Sequence, residues 1–216
     1  MHPLRVVLLG PPASGKGTQG RLLAESLGLG YLGTGALLRG QMEQGTVLGK
    51  LATPLLARGE YLPDDLMSPL IETWLREQTE GWVLDGFPRS LPQAVFLDDY
   101  LAEQGKTLDF AISLEVPLVE LISRMSGRLE CPECRWTGQS RPAEFASNCP
   151  RCGGTVGRRA DDDEENFRNR HEGFMSFTQP VIDHYRKKGL LSTCDATASQ
   201  DQVAARLLRL FPGVLV

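Results

Sequence analysis

The chain has 216 residues, 41% of them hydrophobic and 23% charged, which suits one globular domain with a real core and room for inserted pieces. Its net charge of −4 offers no global attraction for nucleic acid, so any grip on anionic ligands must come from arginines gathered locally. The apolar run Val6–Leu9 is far shorter than a secretory or membrane segment, and the expectation is a cytoplasmic protein that does not engage a membrane.

Leu4–Leu9 predicts a buried parallel strand ending at Gly10. Lys16–Leu27 follows as a helix, with Leu22, Leu23 and Leu27 at helical spacing. Thr34 is expected to cap a second helix reaching Gln44, Leu48–Arg58 forms a third ended by Gly59, and Pro63-Asp64-Asp65 opens a fourth with acids at its positive end. Trp82–Asp85 reads as a short buried strand cut off by Gly86, and Leu91–Glu103 as a helix. Phe110–Leu114 is a strand, after which Pro117 sits in the first turn of the next helix. Asp161–Lys187 reads as one long helix, acidic at its start and basic at its end; Leu190–Cys194 is the last strand and Gln200–Leu210 the last helix. Strands alternating with helices specify an α/β fold with a parallel sheet. Residues 127–160 break that rhythm: they are rich in Cys, Pro, Gly, Arg and Ser, poor in aliphatics, and read as an inserted small domain.

The run Gly10-Pro11-Pro12-Ala13-Ser14-Gly15-Lys16-Gly17-Thr18 has the spacing of a phosphate-binding loop, with a strand before it and a helix after it. Its glycines let the backbone turn amide N–H groups toward an anion, and the helix that follows presents its positive end. Lys16 reaches the outer phosphates of a nucleoside triphosphate and Thr18 helps place a magnesium ion. Cys131-Pro-Glu-Cys134 and Cys149-Pro-Arg-Cys152 are two knuckles fourteen residues apart, the spacing of a four-thiolate zinc site; all four positions are filled by protein, so the metal is structural. Redox disulfides or iron are the competing readings of those cysteines. Cys194 lies on a predicted buried strand and reads as a core residue, whereas His2, His171 and His184 show no ligand spacing and read as structural or surface groups. The acidic run Asp161–Glu165 reads mostly as a solvated helix start near the hinge of the insert.

A phosphate loop alone does not separate an ATPase from a kinase. Gly10–Thr18, Thr34-Gly35 with Arg39, Asp85-Gly86-Phe87-Pro88-Arg89 with Gln93, the cysteine insert and the run from Arg159 through the acids together resemble the adenylate kinase family, over most of the chain. The resemblance implies a three-part phosphotransferase that moves the terminal phosphate of ATP to AMP with magnesium, giving two ADP. It implies a five-stranded parallel sheet as core (residues 1–33, 64–126 and 161–216), a helical segment for the monophosphate (34–63) and a lid (127–160), in a monomer. It places Gly10, Pro11, Ala13, Ser14, Gly15, Lys16, Gly17, Thr18, Arg124 and Arg128 at ATP, with Arg124 stacking near the base. It places Thr34, Gly35, Arg39, Glu60, Leu62, Gly86, Arg89, Gln93, Arg159 and Arg170 at AMP, with Gln93 reading adenine through its amide and Arg39 and Arg89 clamping the phosphate. Asp85 orders the magnesium through its waters, and Lys16, Asp85, Arg89, Arg124, Arg128, Arg159 and Arg170 form the catalytic set. Arg158 and Arg168 compete with Arg159 and Arg170 for their roles.

So many arginines suit two polyanionic substrates whose reaction needs position and charge neutralisation rather than a nucleophilic side chain or a hydrolase-type base. The family usually has glycine where Ala13 stands, so this part of the loop is expected to avoid a conformation open only to glycine. It usually has an acid where Ala36 stands, which leaves Asp85 as the lone magnesium-linked carboxylate. Two rival readings stay open: a phosphate-loop ATPase whose zinc ribbon grips nucleic acid, and a kinase for another nucleoside or nucleotide. The insert has few aromatics for base stacking, and the first rival leaves Asp85–Arg89 unexplained.

Overall fold

The computed structural model describes residues 3–139, 148–159 and 162–211. Its strands are β1 (Leu4–Leu9), β2 (Gly30–Gly33), β3 (Gly81–Asp85), β4 (Phe110–Glu115), β5 (Arg128–Glu130), β6 (Thr137–Gln139) and β7 (Leu191–Asp195). Its helices are α1 (Lys16–Leu27), α2 (Thr34–Glu43), α3 (Val47–Ala57), α4 (Asp64–Arg76), α5 (Leu91–Ala102), α6 (Leu118–Ser126), α7 (Glu164–Gly173), α8 (Gln179–Lys187) and α9 (Gln200–Leu208). Five strands form one parallel sheet in the order β2-β3-β1-β4-β7, while β5 and β6 pair antiparallel in the insert.

The central strand shows why the sheet is doubly covered. Val7 and Leu9 of β1 face a core shared with Ile71 of α4, Leu97 of α5 and Tyr185 of α8. Val6 and Leu8 face the opposite core, with Leu23 of α1 and Leu207 of α9. A strand buried on both faces needs a continuous aliphatic run, and each such side chain contributes about 1.5–3 kcal/mol on full burial. The register sets Leu8 beside Asp85 of β3 and beside Ile112 of β4. The chain therefore leaves β1 at the carboxyl edge of the sheet, next to the end of β3. There the connection from β1 runs to β2 on one side and that from β3 runs to β4 on the other, a switch point of the kind that holds ligands in open α/β sheets.

Most predicted elements are present to within a residue or two, with four instructive differences. The residues alone did not predict β2, whose Gly-Tyr-Leu-Gly is too short and glycine-rich to carry a strand signal; it exists because β3 pairs with it from Gly30 to Gly33. Thr34 is not a cap: Gly33 is the N-cap of α2, and Thr34 is its first helical residue, with its hydroxyl turned inward. Pro117 precedes α6 as its N-cap, in extended backbone, rather than lying in its first turn. The long helix over Asp161–Lys187 is α7 and α8 joined by a π-helical turn, Phe174–Thr178. Pro180 explains the break, because its ring and missing N–H are incompatible with an α-helical bond to the carbonyl of Ser176. Asp161, with which that helix was expected to begin, lies outside the described residues, as do His2, residues 140–147 and Ala160 of the insert and residues 212–216. Cys194 is buried as expected.

Candidate active site

The loop after β1 closes around its own lysine. Lys16 Nζ donates to Gly10 O at 2.7 Å, to Pro11 O at 2.8 Å and to Ser14 Oγ at 3.4 Å. Burial pushes its pKa down to about 8; Asp85 opposes this, and the guanidinium groups of Arg89, Arg170 and Arg128 add to it. Gly15, the N-cap of α1, has φ 94°, a value closed to most L-residues, and Gly15 to Thr18 at the helix start line the crevice. Ala13 has φ 63°, in the small left-handed region that favours glycine and that an alanine reaches at a cost of about 1–2 kcal/mol.

One cavity of about 560 Å³ gathers this loop with Gly35 and Arg39 of α2, Asp85, Gly86 and Arg89 after β3, Arg124 and Arg128 around the end of α6, Arg159 of the insert and Arg170 of α7. Of the predicted phosphate-loop residues, Pro11 does not line it; its carbonyl accepts from Lys16 Nζ and from Ser14 N. Arg158 is exposed, and Arg168 pairs on the surface with Glu164 at 2.6 Å, so the geometry favours Arg159 and Arg170 over those competitors. A smaller adjoining cleft of about 40 Å³ is lined by Thr34, Gly35, Arg39, Glu60, Leu62, Gly86, Arg89, Gln93 and Arg170. The residues expected at the two nucleotides thus meet at the carboxyl edge of the sheet.

Several of these side chains are engaged differently from expectation. Gln93 is buried, and its amide is spent within the protein: Oε1 accepts from Arg89 N at 2.8 Å and Nε2 donates to Asp64 Oδ1 at 2.6 Å. Ser90 Oγ holds the other oxygen of Asp64 at 2.7 Å, so the acid expected only to favour a helix end is a fastener between α4 and α5. Glu60 is half-exposed and forked onto Arg58 at 2.7 and 2.8 Å. Thr18 Oγ1 shares a hydrogen bond of 2.8 Å with Thr137 Oγ1 of β6. Arg124 binds Glu120 at 2.9 Å and the carbonyl of Ala196 at 2.8 Å. Arg128 forks onto Asp162, whose side chain is nearly inaccessible, and Asp163 caps α7 by accepting from Asn166 N at 2.9 Å. The acidic run is therefore not merely a solvated helix start: two of its members are structural partners.

Four groups at the site carried no sequence signal. Glu130 of β5 is buried among guanidinium groups, bonded to Arg159 and lying 3.8 Å from Arg39 and 3.9 Å from Arg135. Arg135 reaches on to Glu43 of α2 at 2.5 Å, so the insert is fastened across the crevice to α2. Tyr61 lies beneath the Arg89 guanidinium, 4.5 Å from ring centroid to carbon. Tyr31 donates its hydroxyl to Asp85 Oδ2 at 3.1 Å.

Gly86 shows how tightly this is assembled. Thr34 Oγ1 donates to Gly86 O at 3.1 Å and Arg89 Nε donates to the same oxygen at 2.8 Å. Gly86 has φ 82°, and a Cβ there would lie 2.8 Å from Arg89 Nη2 and closer still to Thr34 Oγ1. Gly86→Ala is expected to cost about 1–3 kcal/mol in backbone strain and to unseat Arg89, read as a lower urea midpoint for unfolding.

In the insert, the four cysteine sulfurs lie within 4.8 Å of one another, with Cys131–Cys152 and Cys134–Cys149 each at 3.5 Å. These are not disulfide distances, and a tetrahedron with metal–sulfur bonds of about 2.3 Å sets its sulfurs about 3.8 Å apart. Arg151 N donates to Cys149 Sγ at 3.4 Å, a contact that favours a thiolate. The residues fit a closed four-thiolate metal site.

Comparison with known proteins agrees with this geometry. A protein-family model described as adenylate kinase matches residues 8–190. The adenylate kinase of Methanosarcina barkeri is 41% identical over 204 residues, covering 93% of this chain and 94% of the relative. That of Thermodesulfovibrio yellowstonii is 39% identical over 204 residues, covering 93% and 95%. That of Streptomyces coelicolor is 38% identical over 210 residues, covering 95% and 97%.

Proposed function

The chain belongs to the adenylate kinase family and is a phosphotransferase, and from that premise we propose that it transfers the terminal phosphoryl group of ATP to AMP, reversibly, giving two ADP. The observation that carries the reading is the large cavity in which Lys16 and the phosphate loop meet Asp85 and eight arginines. Phosphoryl transfer needs two polyanions held in line with their charge neutralised, and orientation alone supplies roughly 7–11 kcal/mol of such a barrier. A hydrolase would need only one nucleotide site and open access to water.

In this reading Lys16 and the loop amides hold the outer phosphates of ATP, and Arg39 and Arg89 hold the phosphate of AMP. Arg89 is pre-aimed by Gly86 O and braced on Tyr61, so little of its freedom remains to be lost on binding. Arg124, Arg128, Arg159 and Arg170 neutralise the group in transit and the ADP it leaves. Magnesium bound with ATP would be held by Asp85 and Thr18 and would screen phosphate charge; Asp85 lines the cavity and has Oδ1 clear of hydrogen bonds from described residues, which fits that task. Residues 34–63 form the monophosphate segment and 127–160 a lid that excludes water from the reacting phosphates. The lid's cysteines hold a structural zinc, because so small a unit cannot build a sufficient core of its own. Gln93 reads adenine by exchanging its Asp64 and Arg89 N contacts for the edge of the base. In this reading the protein is a cytoplasmic monomer whose partners are ATP, AMP and ADP; no helix among the described residues is long and apolar enough to cross a membrane.

Purified protein mixed with ATP, magnesium and each nucleoside monophosphate in turn tests the reading. Two ADP per AMP consumed, with little diphosphate formed from UMP, CMP or GMP, is the expected result. Release of inorganic phosphate with no diphosphate product from any acceptor would refute it.

A further inference from the structure

Three acids line the large cavity: Glu120, Glu130 and Asp85. Glu120 is paired with Arg124 at 2.9 Å, and Glu130 is held by Arg159 and neighboured by Arg39 and Arg135. Asp85 differs. It has no ion-pair partner among the described residues, and the group that touches its carboxylate is the neutral hydroxyl of Tyr31, which donates to Oδ2 at 3.1 Å. A guanidinium in that position would orient the carboxylate and cancel its charge; a phenol orients it and leaves the charge available to a cation.

The slot for the Tyr31 ring is built from glycines. A Cβ on Gly20 of α1 would lie 2.7 Å from Tyr31 Cε2, and one on Gly33 of β2 would lie 2.7 Å from the hydroxyl. Gly17 sits beside the same hydroxyl, which also reaches the Gly17 carbonyl at 3.5 Å. The Arg21 guanidinium closes the slot from outside, 4.8 Å above the ring centroid. Pairing of β2 with β3 sets Gly33 beside Asp85, so Tyr31, two residues earlier on the same face, reaches along the strand to the carboxylate. Ala36, in the first turn of α2, also lines the cavity and brings a methyl group rather than a second acid.

We propose that Tyr31 is a positioning residue for the phosphoryl transfer, holding Asp85 Oδ2 so that Oδ1 and the full negative charge face the metal–nucleotide. Burial and the adjacent carboxylate push the phenol pKa upward, so the hydroxyl stays a donor across the working pH range. The inference rests on the assignment of Asp85 to the metal side of ATP.

Tyr31→Phe keeps the ring in its slot and removes only the donor, and a thermal midpoint within a few degrees of the parent verifies that the variant is folded. Manganese(II), used in place of magnesium, is titrated into enzyme saturated with a non-hydrolysable ATP analogue, and free ion is read by electron paramagnetic resonance. The expected result is metal affinity about 5–10-fold weaker in Tyr31→Phe, with KM for AMP unchanged and kcat recovering as magnesium is raised. Unchanged metal affinity in Tyr31→Phe, alongside a clear loss in Asp85→Asn, would overturn the role of Tyr31 and leave that of Asp85 intact. Unchanged affinity in Asp85→Asn would overturn the assignment on which both rest.

Discussion

Lys16→Met is expected to lower kcat by about 10³-fold or more while leaving the chain folded, as steady-state ADP formation and circular dichroism would show. The lysine is placed before any substrate arrives: two loop carbonyls hold Nζ at 2.7 and 2.8 Å. In the proposed function entering phosphate oxygens would take over those bonds without a search by the side chain, so the charge is preorganised rather than recruited. Methionine fills similar volume but offers no charge and no donor. The same site predicts a pH dependence. Its pKa of about 8 describes the nucleotide-free protein, where burial and three guanidinium groups penalise a further positive charge. Since kcat/KM reports the free enzyme, its value for ATP should fall as pH rises through about 8. Lys16→Arg should lack that alkaline limb, because guanidinium does not titrate there. For stability the sign is the reverse. The folded pKa lies below the ordinary lysine value, so between about 8 and 10.5 the unfolded chain binds more protons. This group therefore makes stability rise with pH across that window, and the cost of enclosing its charge is fully present below it. A kcat/KM profile flat to pH 9.5 would show that Lys16 keeps its proton.

Removing the proposed zinc from the insert should have the second large effect. The protein as purified is expected to carry one zinc per chain, measured by mass spectrometry of the metal. Chelation should convert a single thermal transition into two and shift the first of them down by more than ten degrees. Free energies of about 10–16 kcal/mol are typical for structural zinc in small finger peptides, far more than this insert can recover elsewhere. Its described buried side chains are few: Leu129, Glu130, Cys131 and Cys149, two of them proposed ligands. The consequences reach the active site. Glu130 precedes Cys131 directly and fixes Arg159, while Arg135 follows Cys134 and ties the insert to Glu43. With the knuckles released those guanidinium groups lose their positions, and kcat should fall by about 10²-fold or more. Cys134→Ser should reproduce the stability loss. Full activity and an unchanged transition after complete metal removal would reduce the cysteines to packing residues.

Some of this was determined by the sequence alone, because the chemistry involved is local. The phosphate loop needs glycines, a lysine and a hydroxyl within nine residues, and the knuckles need cysteines three apart; such spacings survive without knowledge of the fold. β1, β3 and β4 were legible for a related reason, since strands buried on both faces read as near-continuous apolar runs. The pairings that make the site work were decided by tertiary structure. Tyr31 and Asp85 are 54 residues apart and meet through the register of β2 on β3; Arg39 and Glu130 are 91 apart and meet because the insert folds back over α2. The edge strand β2 has no pattern of its own and owes its conformation to β3. Gln93 was expected to face adenine, and the proposed function keeps that role; its partners in the nucleotide-free protein, Asp64 and a backbone N–H, follow from packing, because a buried amide must be satisfied. Sequence spacing specified which kinds of group the site contains. The sheet register and the docking of the insert specified which of them touch, since both depend on contacts between segments that no local pattern encodes.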